Sequence, residues 1–317
     1  MQIKIIYFYY LLFCTIACGS PIGQEDDSVI RKDTIEQQTD PDPLKGVEEQ
    51  DNVQNTELQI WKWSEMNLPP HPWSDETEFG DDFFVDSAYD PSSVSLLGKK
   101  IRFFLNPVKP ANDDPNVFNY RAEIHTAPWP IEHPLKTEQW LGWEYTFGEY
   151  YRIDKTSPIT IFQNHPGVNG LSPQIELEIA AFNTPSPAEG GEIQIINEAN
   201  EERIVTNIKP SAGDSLQVVI HIVFGIEDEG LLTIWLNGEK YYDKNVSTVY
   251  GDYPWGGNNK WGIYHHTFNG SSTDVFSTLE MGIESVELLM GPLRTWTRSP
   301  DHPLYRQDAY ELVRPEN

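Results

Sequence analysis

Between Pro173 and Phe182 the chain contains the run Gln-Ile-Glu-Leu-Glu-Ile, polar and apolar side chains in strict alternation. A strand with one buried and one polar face has this period, and a helix does not. β-Branched and aromatic runs closed by turn residues recur at Lys99–Leu105, Val117–His125, Gln139–Phe147, Pro158–His165, Leu216–Phe224 and Glu284–Met290. Asn237-Gly238, inside Leu231–Tyr242, is a two-residue hairpin signal, and Glu192–Ile196 and Glu202–Val205 flank an Asn/Glu turn. No helical period outlasts two turns, and neither a βαβ rhythm nor a fixed repeat is visible. The expected fold is all-β: a concanavalin A-like β-jelly-roll sandwich in a single domain, residues 58–317.

The chain ahead of that domain has a different character. Residues Ile5–Ala17 form an apolar run after Lys4, too short for a comfortable membrane span and suited to a signal-peptide core. Thr15-Ile-Ala-Cys18-Gly resembles a bacterial lipoprotein box, in which the cysteine is lipidated and becomes the new N-terminus. Residues 1–17 are then the signal peptide and Cys18 the lipid anchor, with Thr15 departing from the usual leucine. An ordinary cleaved secretory signal is the alternative, and either implies export. The only two cysteines, Cys14 and Cys18, lie in this segment, so the folded domain has no disulfide available. Residues 18–57 are rich in Gln, Asp, Glu and Pro and too poor in large apolar groups to offset the entropy of ordering, so a disordered acidic tether is expected. Glu25-Asp-Asp27 resembles the surface-export signals of Bacteroidota-type lipoproteins. The expected location is the outer membrane or surface of a Gram-negative bacterium, with the membrane touched only through the lipid.

The formal net charge of −27 over 317 residues excludes nucleic acid as a natural partner, because phosphates call for a basic surface. It also speaks against a highly sulfated polyanion unless the cleft is locally basic. Solubility or a salty habitat explains the charge without reference to any substrate.

Three strands carry unusual polar side chains. In Thr160-Ile-Phe-Gln163-Asn-His165-Pro-Gly167, Gln163 and His165 are two residues apart and leave one face of a strand. By the same parity Arg121, Glu123 and His125 share a face, and so do Lys260 and Tyr264, with Gly262 between them as a gap that leaves space above the sheet. Cation, amide, imidazole and phenol together suit removal of a proton beside a carboxylate followed by loss of an alkoxide: β-elimination on a uronic acid. Such chemistry needs the carboxylate neutralised, a base at C5 and an acid at the glycosidic oxygen. Arg121 and Gln163 are candidates to hold the carboxylate, and Lys260 to add positive field. His165 is the candidate base. Tyr264 is the candidate acid, or both base and acid if proton and leaving group share a face; Lys260 and Arg121 would then lower its pKa. Each has a plainer reading: His165 as a turn residue before Pro166, Tyr264 as packing, Arg121 as a partner of Glu123, Lys260 as a solvated charge. Glu123, His125, His265 and His266 are candidate cleft neighbours. Trp140, Trp143 and Trp235 are candidates for sugar stacking or core, with Trp143 placed in the substrate set, and His221, in an apolar strand, is expected to be a satisfied interior histidine.

Tyr120-Arg-Ala-Glu-Ile124, Phe162-Gln-Asn-His165, Thr233-Ile-Trp-Leu-Asn-Gly-Glu-Lys240 and Lys260-Trp-Gly-Ile-Tyr264 occur in the order found in heparin lyase I-like polysaccharide lyases. The chain resembles that family from about Leu58 to Met290, and is similar to the related jelly-roll alginate and glucuronan lyases. The resemblance implies a concave sheet as substrate groove, with His165 and Tyr264 catalytic and Arg121, Gln163 and Lys260 on the carboxylate side. It implies a lyase that acts on an anionic polysaccharide (glucuronan, alginate, ulvan or a glycosaminoglycan) and leaves an unsaturated uronate end. The acidity of the chain departs from heparin-cleaving relatives and turns the expectation toward unsulfated or lightly sulfated polyuronates.

Two alternatives come from other classes. A sandwich glycoside hydrolase needs two carboxylates at a defined separation, and the nearest candidate, Gln174-Ile-Glu176-Leu-Glu178, has an amide first and no aspartate. A non-catalytic sugar-binding module would keep the tryptophans but has no use for the Arg, Gln-x-His and Lys-x-Gly-x-Tyr set. No phosphate-binding glycine loop or clustered zinc-ligand spacing occurs. The elimination requires no cofactor, so no metal is expected beyond a structural calcium ion, with which so many carboxylates are compatible. A monomer is expected.

Overall fold

The computed structural model describes residues 56–64, 82–86, 93–105, 120–152, 158–168, 170–181, 190–265 and 286–316. Every described residue belongs to one unit, residues 50–317. The leader, Cys18, His266 and most of the tether lie outside the described residues.

Strands account for most of what is described. In chain order they are β1 (Gln59–Trp61), β2 (Phe83–Asp86), β3 (Val94–Leu97), β4 (Lys100–Leu105), β5 (Tyr120–Thr126) and β6 (Glu138–Phe147). There follow β7 (Ile159–His165), β8 (Ile175–Ile179), β9 (Ile193–Asn197), β10 (Glu202–Val205) and β11 (Ser215–Val223). The last are β12 (Leu231–Leu236), β13 (Glu239–Lys244), β14 (Asn258–His265), β15 (Val286–Met290) and β16 (Leu293–Arg298). They form two antiparallel sheets. One is ordered β13-β12-β11-β6-β15-β4-β3, with β16 continuing beside β6 and carrying β1; the other is β10-β9-β8-β7-β14-β5-β2. The two sheets face each other across one core as a jelly-roll sandwich.

The core follows from alternation. On β6, Leu141, Trp143, Tyr145 and Phe147 point inward and are buried, and Trp143 meets Phe162 of β7 and Trp261 of β14. Burial of this aromatic layer, with the aliphatic residues around it, drives the packing of the sandwich. Trp143 is fully buried here, so it is a core residue and not a sugar platform, contrary to its expected place in the substrate set. Asn237 and Gly238 adopt φ of 52° and 82° between β12 and β13, as a primed two-residue hairpin turn requires.

After Met290 the sequence predicts only a polar tail, and here the structure differs. Gly291-Pro292 interrupts a single line of pairing along β6: β15 pairs its C-terminal end and β16 its N-terminal half. The tail then ends in a short helix, α1 (Tyr310–Val313). Trp140, Val219, Trp296, Ala309 and Val313 make a small second core on the outer face of the sheet. Trp140 stacks on His221 at 3.9 Å between ring centroids, and His221 Nε2 lies 2.6 Å from Glu138 Oε1. Arg298 completes this buried network through Glu138 Oε2 at 2.9 Å, so His221 is the satisfied interior histidine its strand implies. Trp235 packs on Tyr310 in the same layer.

Trp143→Ala should destabilise the domain by about 3–5 kcal/mol, because it removes an aromatic ring from the middle of the sandwich. Urea unfolding followed by fluorescence measures this, and a loss below about 1 kcal/mol would remove Trp143 from the core layer.

Candidate active site

β14 lies between β5 and β7, and its register brings the three polar strands onto one face. Lys260 pairs with His125 on one side and Gln163 on the other. Gly262 faces Glu123, Tyr264 faces Arg121, and Asn258 faces His165. Side chains directly opposite in an antiparallel pair share a face. Arg121, Glu123, His125, Gln163, His165, Lys260 and Tyr264 therefore form one patch on the sheet surface turned away from the core. Asp86, opposite Glu123 on the edge strand β2, joins it.

The patch is a buried charge network. Arg121 Nη1 bonds Asp86 Oδ2 at 2.7 Å and lies 3.8 Å from Glu123 Oε2. Gln163 Nε2 donates to Glu123 Oε1 at 2.7 Å, which fixes the amide. Burial works against the Arg121 charge, but Asp86 and Glu123 outweigh it and keep the guanidinium ionised. Lys260 gains less: burial draws it down to about 8, against the pull of Glu123. Its Nζ sits 4.7 Å from the centre of the Trp129 ring, a cation–π contact. His125 is held neutral well below its ordinary value by burial and by Lys260. Asp86, Glu123 and His125 each bring a ligand atom within 4.8 Å of the others, a spacing that also suits a metal ion. Arg121 already supplies positive charge at this point.

His165-Pro-Gly167 has a local logic that the sequence hides. Gly167 has φ +78°, and a Cβ there would stand 2.5 Å from Pro130. This turn aims the Gly167 N–H at His165 Nδ1, 2.9 Å away. Nδ1 is thus an acceptor, and in the neutral ring Nε2 carries the proton. Burial, with Lys260 and Arg121, lowers His165 to about 3, so the neutral donor form prevails at physiological pH. In this tautomer His165 offers an N–H to the groove, which fits a carboxylate-binding role better than the expected role of base.

Tyr264 is half-buried with the Arg121 guanidinium 4.7 Å from its ring centre. Burial raises the phenol above its ordinary value and Arg121 opposes that rise. The cation that tunes Tyr264 is Arg121, directly across the ladder, rather than Lys260 four residues away on the same strand.

Beneath Tyr264 the ladder is irregular. Lys260 pairs with Gln163 and Trp261 with Phe162, but Tyr264 pairs with Thr160, so two residues of β14, Gly262 and Ile263, oppose Ile161 alone. This bulge frees the Ile161 carbonyl and the Gly262 N–H from the ladder. Tyr145, reaching across the core from β6, satisfies both: its hydroxyl donates to Ile161 O at 2.6 Å and accepts from Gly262 N at 3.2 Å. Gly262 has φ +137°, and a Cβ there would stand 2.2 Å from Ala122 O and 3.0 Å from Phe103. The backbone by itself thus requires the glycine, beside the space its spacing suggests above the sheet.

Not every expected site residue belongs to the patch. His265 follows Tyr264 and so leaves the opposite face of β14, buried and opposite Ile159 of the core, which removes it from the substrate set. Trp129 and Asp86 also adjoin the patch, and nothing in the sequence singles them out. The ring of Trp129 lies 5.5 Å from His125 and 5.7 Å from His165. It sits in a Pro-rich connection with cis bonds at Ala127–Pro128 and Trp129–Pro130, where strand parity gives no signal.

The polysaccharide lyase family model matches residues 92–278, more than half of the chain. No curated protein matches it in sequence. Among solved structures, the endo-β-1,4-glucuronan lyase of Trichoderma reesei is 15% identical, with 77% of this chain and 96% of that chain covered and a TM-score of 0.45. An alginate lyase from Alteromonas sp. 272 is 12% identical over 69% of this chain and 95% of that one, with a TM-score of 0.47. An alginate lyase from Pseudomonas aeruginosa is 15% identical over 67% and 88%, with a TM-score of 0.46.

Tyr145→Phe tests the support beneath the patch. It leaves a buried carbonyl and N–H without a partner, so a loss of about 1–3 kcal/mol is expected in chemical denaturation. An unchanged stability would mean that the bulge does not depend on this hydroxyl.

Proposed function

The chain belongs to the polysaccharide lyase family, and on that premise we propose that it cleaves a uronic acid-containing polysaccharide by β-elimination on the patch formed by β5, β14 and β7. The observation that supports this most is the convergence of Arg121, Gln163, His165, Lys260 and Tyr264 on one face through the register of three strands. Arg121, Lys260, the Gln163 amide and the His165 Nε2–H neutralise the uronate carboxylate, which acidifies the C5 proton. Tyr264 takes that proton in its deprotonated form, which burial disfavours and Arg121 stabilises. The electron pair forms the C4–C5 double bond and expels the glycosidic oxygen from C4, and the Tyr264 hydroxyl returns the proton to it. One group serving both steps requires the C5 hydrogen and the C4 oxygen to leave from the same side. Glucuronic and mannuronic acids have that arrangement, and their C5 epimers do not.

Heparin is not the proposed substrate, because a chain of net charge −27 opposes a highly sulfated polymer. The chemistry is proposed to need no metal, since the positive charge comes from side chains. We also propose that the enzyme acts as a monomer, held at the surface of a Gram-negative bacterium by a lipid on Cys18.

Absorbance from the new C4–C5 double bond measures the reaction directly. Tyr264→Phe should lower kcat by at least about a hundredfold. Release of reducing ends without that absorbance would identify a hydrolase and overturn the lyase reading.

Activity should also fall as pH rises through about 8, where Lys260 loses its charge. The sign follows from the role: the protonated form is the active one, so the loss lies on the alkaline side. Lys260→Arg should keep activity and move that limb to higher pH. If Lys260→Arg is instead inactive, Lys260 is the proton acceptor and Tyr264 the acid alone.

A further inference from the structure

The sheet face that carries the patch continues beyond β7 onto β8, where its chemistry changes. Glu176 lies directly opposite Gln163, and Glu178 opposite Thr160. Gln174 precedes them at the same parity, and Gln194 of β9 faces Glu178. All four side chains are buried. Thr160 Oγ1 donates to Glu176 Oε2 at 3.1 Å. The cation here, Arg203, is committed twice, to Glu178 Oε1 at 3.0 Å and to Gln194 Oε1 at 2.6 Å. Two polar atoms are left over: Gln194 Nε2, a donor, and Gln174 Oε1, an acceptor, both buried without a partner.

A uronate carboxylate bound over β8 would lose its water beside the Glu178 carboxylate, and Arg203, the cation next to it, is already engaged. Burying a charge on those terms is strongly unfavourable. A sugar hydroxyl both donates and accepts, and so suits an unpartnered amide N–H and an unpartnered amide carbonyl. Burial and Glu178 raise Glu176 to about 8, which makes it a protonated donor at neutral pH and adds to the same character. We infer that the groove over β8 takes a sugar without a carboxylate, so that the polymer cleaved carries its uronates beside neutral residues rather than in unbroken runs. The inference rests on the lyase reading above. Glu176 and Glu178 are its specificity-determining residues, Glu178 by excluding a carboxylate and Glu176 by donating to a hydroxyl.

The test compares initial rates of double-bond formation on two groups of polymers. One group sets each glucuronate between neutral sugars (hyaluronan, deacylated gellan), and the other is homopolymeric (glucuronan, polymannuronate). The native enzyme should favour the first group by at least about tenfold in kcat/KM, the equivalent of about 1.4 kcal/mol. Glu178→Gln removes a charge and releases Arg203, so it should narrow the gap, chiefly by lowering KM for the homopolymers. Arg203→Ala, compared with the native enzyme at a temperature where both are folded, should widen it. Equal or greater native activity on the homopolymers would overturn the inference and leave the lyase standing. Absorbance on no polymer of either group would overturn the lyase reading, and the inference with it.

Discussion

Arg121 and Lys260 are cations held inside the protein, and an isolated buried charge is too costly to persist. Asp86 and Glu123 make Arg121 tolerable, while among the described residues Lys260 has the more distant carboxylates and the face of Trp129. The difference appears in their ionisation: Arg121 stays firmly charged, and Lys260 is drawn to about 8. The acids are therefore part of the cationic site rather than an opposition to it. Glu123 has a second task, since it accepts from Gln163 and fixes the amide that faces the groove. Removing either acid would disturb charge and orientation together.

The patch also depends on the opposite sheet. A regular ladder would keep Ile161 on the same face as Gln163 and His165. The bulge instead turns Ile161 into the core and gives Thr160 to the groove, where it meets Glu176. A bulge frees backbone groups that need partners inside a dry core, and Tyr145 supplies both from β6. The sandwich is thus more than a support for the groove. One side chain of the far sheet stabilises the irregularity on which the arrangement of the near sheet rests.

Much of this was legible because strand parity is a local property. Gln163 with His165, Arg121 with Glu123 and His125, and Lys260 with Tyr264 share faces in the sequence and in the structure. Parity could also have excluded His265, one residue from Tyr264. It could not assign Trp143, because alternation does not say which face of an isolated strand is the core. The register that makes Arg121 the partner of Tyr264 joins positions far apart in the chain, and no local pattern encodes it. Trp129 lies in a connection, Asp86 on a short edge strand, and Tyr145 within a run of core aromatics, so none stood out. Val94–Leu97 and Leu293–Arg298 give no clear strand signal, being short and broken from their neighbours by Gly or Pro.

The net charge of −27 and a cationic reaction centre are compatible because they act over different distances. Exposed charges are screened beyond about 8 Å at physiological ionic strength, and more closely in brine. Buried pairs such as Arg121 with Asp86 are screened far less. Salt therefore weakens the repulsion that an acidic surface exerts on an approaching polyanion, while the contacts that hold a carboxylate at the centre persist. Long-range attraction would favour any polyanion, sulfated or not. Without it, recognition falls to the short-range pattern of the groove, where cations sit at β5 and β14 and acids with unpartnered amide groups line β8 and β9. An acidic surface in that way leaves selectivity to the spacing of charge along the polymer.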